Sequence, residues 1–161
     1  MPDAANTALI NRFYEAFERR DHAAMAACYT ADARFSDPVF TDLRGDEVRA
    51  MWRMFCQRGE DLEVRHSAVE AESERGSGHW DADYTFSGTG RRVHNEIDSS
   101  FRFRDGLIAE HDDSFDLWKW TRQALGTPGV LLGWSPPVQN KVRAQARETL
   151  EEFMRSERAA G

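Results

Sequence analysis

The sequence contains no apolar segment that approaches the length of a membrane-spanning helix. Crossing a bilayer takes about 20 consecutive apolar residues, and the longest apolar stretches here are interrupted by Arg, Asp or Gly within a few positions. Cysteine is also scarce, because Cys28 and Cys56 are the only two. Neither a charged-then-apolar leader nor a disulfide framework is indicated. We therefore expect a soluble, reduced, cytoplasmic protein with no membrane partner.

Basic residues are fewer than acidic residues. The 161 residues include 21 Lys and Arg against 28 Asp and Glu, which gives a net charge of −7. Binding to a polyanion needs a positive field, so we expect no nucleic-acid partner. A chain of this length has the size of one domain, and we predict a single domain over residues 1–161.

Motifs that mark metal or cofactor chemistry are missing as well. The five histidines show no His-x-x-x-His spacing, which is one of the patterns that binds zinc. There is no Gly-x-Ser-x-Gly, no phosphate loop and no dinucleotide fingerprint. The sequence therefore predicts neither a metal site nor a cofactor.

Apolar residues at helical spacing predict three helices before any long strand. The first lies in "NTALINRFYEAFERR", Asp21 can cap a second through "HAAMAACY", and Asp46 can cap a third. After Trp120 the chain is again predicted helical and stops at Gly126. A final helix begins at Ser135 and the proline that follows it.

From residue 62 onward the period changes to two. The alternation is clearest in "HWDADYTF", "RVHNEIDSSFRF" and "LIAEHDDSFDLW", and the turns are marked by "SGTG" and "RDG". This pattern predicts an antiparallel meander. Helices followed by strands indicate an α+β fold with helices packed on one face of a curved sheet.

Alternation also predicts which side chains face the helices. In residues 92–104 the odd positions carry the apolar residues, so the odd face is buried. The same test on the last strand places two ionisable groups, His111 and Asp113, on the apolar side. They are either a structural ion pair or a functional pair.

Hairpin geometry predicts a register for these strands. A three-residue "RDG" loop sets Ser99 opposite His111. A two-residue loop at Thr89–Gly90 sets Trp80 across from Ser99, and Tyr84 across from Asn95. For Ser99 and Asn95 the alternative is that they simply bond to backbone or buried water.

The aromatic residues of the predicted helices are open to two interpretations. They are core, or they line a ligand pocket, and in a hollow fold the two roles overlap. The set is Phe13, Phe17, Trp52 and Phe55.

Several of these motifs together resemble the nuclear transport factor two-like superfamily, in particular its ketosteroid isomerase-like and SnoaL-like polyketide cyclase branches. The resemblance rests on "INRFYEAFERRD", "YTADARFSDPVF", "LRGDEVRAMW" and "IDSSFRF" with its "RDGLIAEH" hairpin. It covers a core of about residues 7–120, which leaves 121–158 as a C-terminal helical extension. It implies a cone-shaped, strongly curved antiparallel sheet closed by N-terminal helices, with an extra C-terminal helix, and a homodimer. Enzymes and binding domains share this cone.

The resemblance gives Asp37 a role. In the isomerases the acid of the "DPV" stretch is the general base, and apolar walls around Asp37 would raise its pKa toward a useful range. The isomerase tyrosine of the first helix aligns with Phe13, with Tyr14 next to it, and the acid of the oxyanion hole aligns with Ser99. Because strong oxyanion donors are missing at both places, true steroid isomerisation is disfavoured.

Two further branches of the superfamily bear on the reaction. The strand "RDGLIAEHDDSFDLW" resembles that of limonene epoxide hydrolases, in which an inward aspartate works with an arginine and a second aspartate. Here the inward residues of the neighbouring strand are Trp80, Ala82 and Tyr84, so that arginine is absent and epoxide hydrolysis is disfavoured. SnoaL-like cyclases need little more than one buried acid or base in an apolar cone.

We therefore predict a cofactor-independent acid/base enzyme of isomerase, cyclase or lyase type, acting on a small apolar, carbonyl-containing, polyketide-like or steroid-like ligand. The expected catalytic residues are Asp37, His111 and Asp113. The expected ligand-binding residues are Phe13, Tyr14, Trp52, Trp80, Tyr84, Asn95, Ser99 and Phe115. The alternative is a non-catalytic module that binds a hydrophobic molecule or serves for dimerisation.

The segment "LGTPGVLLGWSPP" has no role that the resemblance supplies. Its apolar residues Leu131, Leu132 and Trp134 need a cover, since an exposed apolar cluster usually marks an interface. We expect them to cap the mouth of the cone or to join a dimer contact.

Overall fold

The computed structural model describes all residues, 1–161, and folds them into six helices and one six-stranded sheet. The helices are α1 (Ala4–Glu18), α2 (His22–Ala26), α3 (Asp46–Arg58), α4 (Leu117–Leu125), α5 (Thr127–Leu132) and α6 (Pro136–Ala160). The strands are β1 (Tyr29–Ser36), β2 (Leu43–Arg44), β3 (Glu63–Ala71), β4 (Arg75–Phe86), β5 (Arg91–Arg104) and β6 (Leu107–Ser114). None of the helices combines the length and the hydropathy that a membrane span requires.

The sheet has the order β2-β1-β6-β5-β4-β3. It curls around the first and third helices but is not closed into a barrel, because β2 and β3 form its two edges. All neighbouring strands are antiparallel except β1 and β6, which run parallel. The α+β class and the curved sheet are confirmed, although the sheet is mixed rather than wholly antiparallel.

The expectation that three helices precede any long strand is wrong. Strand β1 has eight residues and lies between α2 and α3. Its inward residues Tyr29, Ala33 and Phe35 are buried, but the register shifts between Tyr29 and Arg34. That irregularity breaks the period of two, which is why the alternation is weak in the sequence.

Both predicted hairpin registers are off by two residues. Between β4 and β5 the turn has four residues, so Trp80 lies opposite Ile97 and not Ser99. Between β5 and β6 the turn has two residues, and a register shift between Arg102 and Phe103 adds one more residue on β6, which places Ser99 opposite Asp113. A bulge leaves no clear mark in the sequence. Loop length alone therefore predicts the correct face of the sheet for these residues but the wrong partner on the neighbouring strand.

The main core lies between the concave face of the sheet and the helices. Helix α1 contributes its buried stripe, and Asp3 caps it by accepting a hydrogen bond from the Asn6 N–H at 2.9 Å. Leu150 and Phe153 of α6 belong to the same core. The C-terminal helix therefore contributes side chains to the main core.

A second apolar cluster covers the other end of the concave face. It consists of Val93 from β5 and Leu117, Trp120 and Ala124 from α4. The residues that were expected to cap the cone, Leu131, Leu132 and Trp134, stay at the surface. Their exposed fractions are 53–63% on the single chain. Helix α4 packs against this part of the sheet instead, and a dimer contact for Leu131, Leu132 and Trp134 stays a prediction.

Candidate active site

His111 and Asp113 point into the concave interior, as the alternation predicts. The exposed fractions of their side chains are 0% and 1%, and the Nε2 atom of His111 lies 2.7 Å from Oδ1 of Asp113. Strand β6 places both on one face because they are two residues apart. Aromatic rings surround the imidazole, with Phe101 and Phe35 at centroid distances of 4.4 and 5.0 Å.

A continuous chain of hydrogen bonds runs through this interior. The Trp52 indole N–H donates to the Tyr29 hydroxyl at 2.9 Å, and that hydroxyl lies 2.7 Å from Nδ1 of His111. Since the Tyr29 oxygen already accepts a hydrogen bond from Trp52, its own O–H can donate to Nδ1 of His111. The Nε2–H of His111 then donates to Oδ1 of Asp113.

A second branch reaches Asp113 from the opposite side. The Tyr14 hydroxyl donates to Oγ of Ser99 at 2.6 Å, and the Ser99 hydroxyl donates to Oδ1 of Asp113 at 2.5 Å. Burial, reinforced by the negative charge of Asp113, raises the pKa of Tyr14 and Tyr29 well above the usual tyrosine value. Both phenols therefore stay protonated, and every proton of the network is directed toward one carboxylate oxygen.

The other oxygen of Asp113 is unoccupied. Oδ2 is buried and has no hydrogen-bond partner in the protein. Leaving a buried polar atom unpartnered has a cost in free energy, and such atoms are uncommon in folded proteins. The Nε1–H of Trp80 is in the same situation. An unpaired acceptor and an unpaired donor are thus present on the concave face.

Asp37 lies at the same level as Asp113. Strands β1 and β6 pair in parallel, with Phe35 opposite His111 and Ser36 opposite Asp112. The residues that follow are Asp37, directly after β1, and Asp113 on β6. Neighbouring strands are about 5 Å apart. The two carboxylates are therefore close enough for their charges to interact.

The loop after β1 holds Asp37 by one oxygen. Oδ1 accepts the backbone N–H groups of Val39 at 2.7 Å and Phe40 at 2.6 Å. Oδ2 has no hydrogen-bond partner and is not fully buried. Burial raises the pKa of Asp37 to about 7 and the Asp113 charge adds to the rise, while the two backbone N–H groups lower it. At neutral pH such a carboxyl group can both take up and release a proton.

Two further polar groups of the expected set are free to meet a ligand. The Tyr84 oxygen accepts the Trp120 indole N–H at 2.7 Å, which leaves the hydroxyl proton of Tyr84 available. Burial raises the pKa of Tyr84 to about 12, and the charge of Asp37 contributes. Asn95 is half-buried opposite Ala82, and its amide makes no hydrogen bond within the protein.

The remaining aromatic residues of the expected set make packing contacts, and their role in ligand binding stays a prediction. Phe13 and Trp52 have ring centroids 5.5 and 6.1 Å from that of His111. Phe115 packs against the cluster formed by α4. His111 itself has both ring nitrogens engaged, so it holds Asp113 and has no free atom for a ligand.

Sequence reasoning missed Tyr29, which joins Trp52 to His111. Its signal was the inward alternation with Ala33 and Phe35, which the irregularity in β1 obscured. It also missed Trp120, the partner of Tyr84. Two surface clefts, of about 420 and 610 Å³, are lined by other residues, and neither includes Asp113 or Trp80.

Residues that bind metals gather in one other place. Donor atoms of Asp81, His94 and Glu96 lie within 4.8 Å of one another on the outer face of the sheet. This cluster is on the opposite face from Asp37 and Asp113, since alternate residues of a strand face opposite sides.

The chain is similar to known proteins in sequence and in fold. The family described as "SnoaL-like domain" matches residues 10–111. TsrD from Streptomyces laurentii is 26% identical, with 78% of this chain and 98% of that chain covered and a TM-score of 0.65. A candidate polyketide cyclase from Xanthomonas campestris is 25% identical, covering 74% and 96%, with a TM-score of 0.61.

An M. tuberculosis LEH-like epoxide hydrolase shares the fold at 19% identity, covering 79% of this chain and 92% of that chain, with a TM-score of 0.63. A comparison with curated protein sequences finds no match.

Proposed function

Because the chain belongs to the SnoaL-like family of the nuclear transport factor two-like superfamily, we propose that it is a cofactor-independent acid/base enzyme with Asp37 as the proton-transferring group. Its ligand is a small, largely apolar molecule with a carbonyl or similarly activated group. The observation that carries the proposal is the state of Asp37: one oxygen is fixed by two backbone N–H groups, the other is free, and the pKa is about 7.

The chemistry is a proton transfer at carbon. Oδ2 of Asp37 takes a proton from the carbon next to the carbonyl, and the electron pair of that C–H bond moves to the carbonyl oxygen as an enolate. The N–H of Trp80 and the O–H of Tyr84 are the donors available to that oxygen. Return of the proton to another carbon gives an isomerase, and attack of the enolate on a second carbonyl gives a cyclase.

Asp113 and His111 support this step without carrying the proton. The two hydrogen bonds that Oδ1 of Asp113 receives fix the orientation of this carboxylate. Its negative charge adds to the pKa of Asp37, which brings the base closer to the neutral range. Neighbouring carboxylates that keep different protonation states are a recurring device of acid/base enzymes.

Two observations support the polyketide-like or carbonyl ligand class. The candidate polyketide cyclase from Xanthomonas campestris is 25% identical over most of both chains. An apolar cone with a few polar atoms suits ligands that are mostly hydrocarbon. The epoxide hydrolase shares the fold alone, and the arginine expected for that chemistry is absent from the inward face of β4.

A proton-exchange experiment tests the proposal. The probe is 2-tetralone, a bicyclic ketone with acidic C–H groups, and its exchange in D₂O is followed by ¹H NMR with and without the protein. We expect the protein to accelerate exchange, and Asp37→Asn to reduce that acceleration by about 10²-fold or more, the usual contribution of a general base. The control is Glu148→Gln, which removes an exposed carboxylate of α6.

Binding is measured separately by saturation-transfer NMR. Asparagine has the shape of aspartate and its Oδ1 can still accept both backbone N–H groups, so we expect Asp37→Asn to bind 2-tetralone with little loss of affinity. If the wild-type protein binds the ketone without accelerating exchange, or if Asp37→Asn exchanges it as fast as wild type, the alternative of a non-catalytic binding module is favoured.

A further inference from the structure

A side chain of the C-terminal helix is hydrogen-bonded to the loop that carries Asp37. Nε of Arg143, in α6, donates to the backbone carbonyl of Pro38 at 2.8 Å, across 105 positions of sequence. Its Nη1 donates to Oδ1 of Asn140 at 3.0 Å. Both acceptors are neutral, so the positive charge of this half-buried guanidinium is not neutralised by a salt bridge.

The carbonyl that Arg143 contacts belongs to the peptide unit that holds Asp37. The C=O of Pro38 and the N–H of Val39 are the two ends of one peptide group, and that N–H donates to Oδ1 of Asp37 at 2.7 Å. The chain has no cis peptide bonds, so the C=O and the N–H point in opposite directions. The guanidinium, the peptide and the carboxylate therefore form one line of hydrogen bonds.

A cation at the carbonyl end makes the N–H end a stronger donor. Hydrogen bonds in a chain polarise one another, by roughly 10–30% per bond, and a bond from a charged donor is about twice as strong as a neutral one. The bond from Val39 to Asp37 is thus strengthened by a charge that does not touch Asp37. It also fixes the peptide plane, which determines the direction in which Oδ2 points.

We propose that Arg143 is a positioning residue for Asp37, acting through the Pro38–Val39 peptide. The inference rests on the proposed function, in which Asp37 is the base. Arg143 lies outside residues 10–111, the segment that matches the family, so this device comes from the C-terminal helix of this chain. It orients the carboxylate and stabilises its ionised form against the burial that disfavours it.

The charged groups that bear on Asp37 come from several elements. Asp113 of β6 raises its pKa, Tyr84 of β4 is within range of its charge, and Arg143 reaches it through the peptide. Removing Arg143 weakens only the contribution that lowers the pKa. We therefore expect the pKa of Asp37 to rise in its absence.

The test is a ¹³C NMR titration of the Asp37 carboxyl carbon in the full-length protein, with the resonance assigned by Asp37→Asn. In Arg143→Gln we expect the midpoint to move upward by roughly half a pH unit, from the weakening of one charge-assisted bond. The matched control is Arg147→Gln. Arg147 is one helical turn further on, lines the same 420 Å³ cleft and pairs with Glu47 at 2.6 Å instead of with the loop.

The outcomes separate clearly. A rise in Arg143→Gln that is absent in Arg147→Gln supports the proposal, as does partial restoration in Arg143→Lys, whose ammonium can donate to the same carbonyl. An unchanged midpoint in Arg143→Gln, an equal rise in both variants, or a lysine that restores nothing overturns it. Near-ultraviolet circular dichroism of each variant verifies that the fold is retained.

This titration needs no turnover, so it is independent of the proposed function. If Arg143→Gln moves the midpoint but Asp37→Asn exchanges 2-tetralone at the wild-type rate, the proposed function fails and the positioning role stands. If Asp37→Asn abolishes exchange and Arg143→Gln leaves the midpoint unchanged, the positioning role fails alone.

Discussion

Asp37 and Asp113 are held in the same asymmetric way. Each uses Oδ1 to accept two hydrogen bonds, from the backbone of Val39 and Phe40 in one case and from Ser99 and His111 in the other. Each leaves Oδ2 without a partner. Two carboxylates that are each fixed at one oxygen and free at the other can bind the same ligand. Their negative charges repel each other. The charge of Asp113 is one of the causes that raise the pKa of Asp37, so the two side chains interact.

The coupling predicts the effect of neutralising Asp113. Asp113→Asn keeps Oδ1 for both of its donors and places the amide nitrogen where no protein group is bonded. It removes a charge that raises the pKa of Asp37. We expect the Asp37 carboxyl midpoint to fall below its wild-type value of about 7 in a ¹³C NMR titration. The control is Asp112→Asn, since Asp112 is adjacent but pairs with Arg34 on the outer face; an equal fall in both variants contradicts the pairing.

The raised pKa of Asp37 predicts how stability depends on pH. Between about 4 and 7 the folded protein keeps a proton on Asp37 that the unfolded chain has already released, so the free energy of unfolding falls as pH rises. The full effect is about 4 kcal/mol at most, since one pKa unit corresponds to about 1.4 kcal/mol.

Asp37→Asn cannot titrate and should lack this contribution. Urea unfolding of the wild type and Asp37→Asn at several pH values between 4.5 and 8 measures it. We expect the variant to gain stability relative to wild type as pH rises, and Glu148→Gln, which removes an exposed carboxylate, to follow the wild type. A difference between Asp37→Asn and wild type that is the same at every pH is the contrary result.

The branch from Tyr14 to Asp113 predicts non-additive mutations. Tyr14→Phe removes one buried hydrogen bond and Ser99→Ala removes two, and each variant should lower the free energy of unfolding by about 1–3 kcal/mol. The double variant should cost at least about 0.5 kcal/mol less than the sum, because both changes break the same bond. Tyr84→Phe combined with Ser99→Ala should be additive, since Tyr84 bonds to Trp120 instead. Urea unfolding of the six proteins measures both cycles, and equal coupling in the two would contradict the network.

Alternation was sufficient to predict the orientation of His111 and Asp113. A period of two fixes the face of every residue on a regular strand, and β6 is regular from Glu110 to Ser114. It did not predict that Ser99 lies opposite Asp113 rather than opposite His111, because a one-residue irregularity and a turn one residue shorter change the partner without changing the face. The bond from Ser99 to Asp113 follows from this corrected register.

The contacts of Arg143 and Tyr29 were beyond sequence reasoning for a different reason. Arg143 stands on a largely polar face of a helix, where arginine is the expected surface residue, and its partner is a backbone carbonyl 105 residues away. A backbone acceptor has no side-chain signature. Tyr29 bonds to Trp52 and His111, which come from another helix and another strand. Only the tertiary packing brings such groups together.

The packing of α6 gives the last prediction. Leu150 is 1% exposed and belongs to the main core, whereas Leu132 in α5 is 53% exposed. Leu150→Ala should lower the free energy of unfolding by about 2–5 kcal/mol, because it leaves a cavity. Leu132→Ala should change it by less than about 0.5 kcal/mol. Urea unfolding measures both. If Leu150→Ala is as mild as Leu132→Ala, then α6 is not part of the cooperative core, and a helix so loosely held could not fix the loop of Asp37 through Arg143.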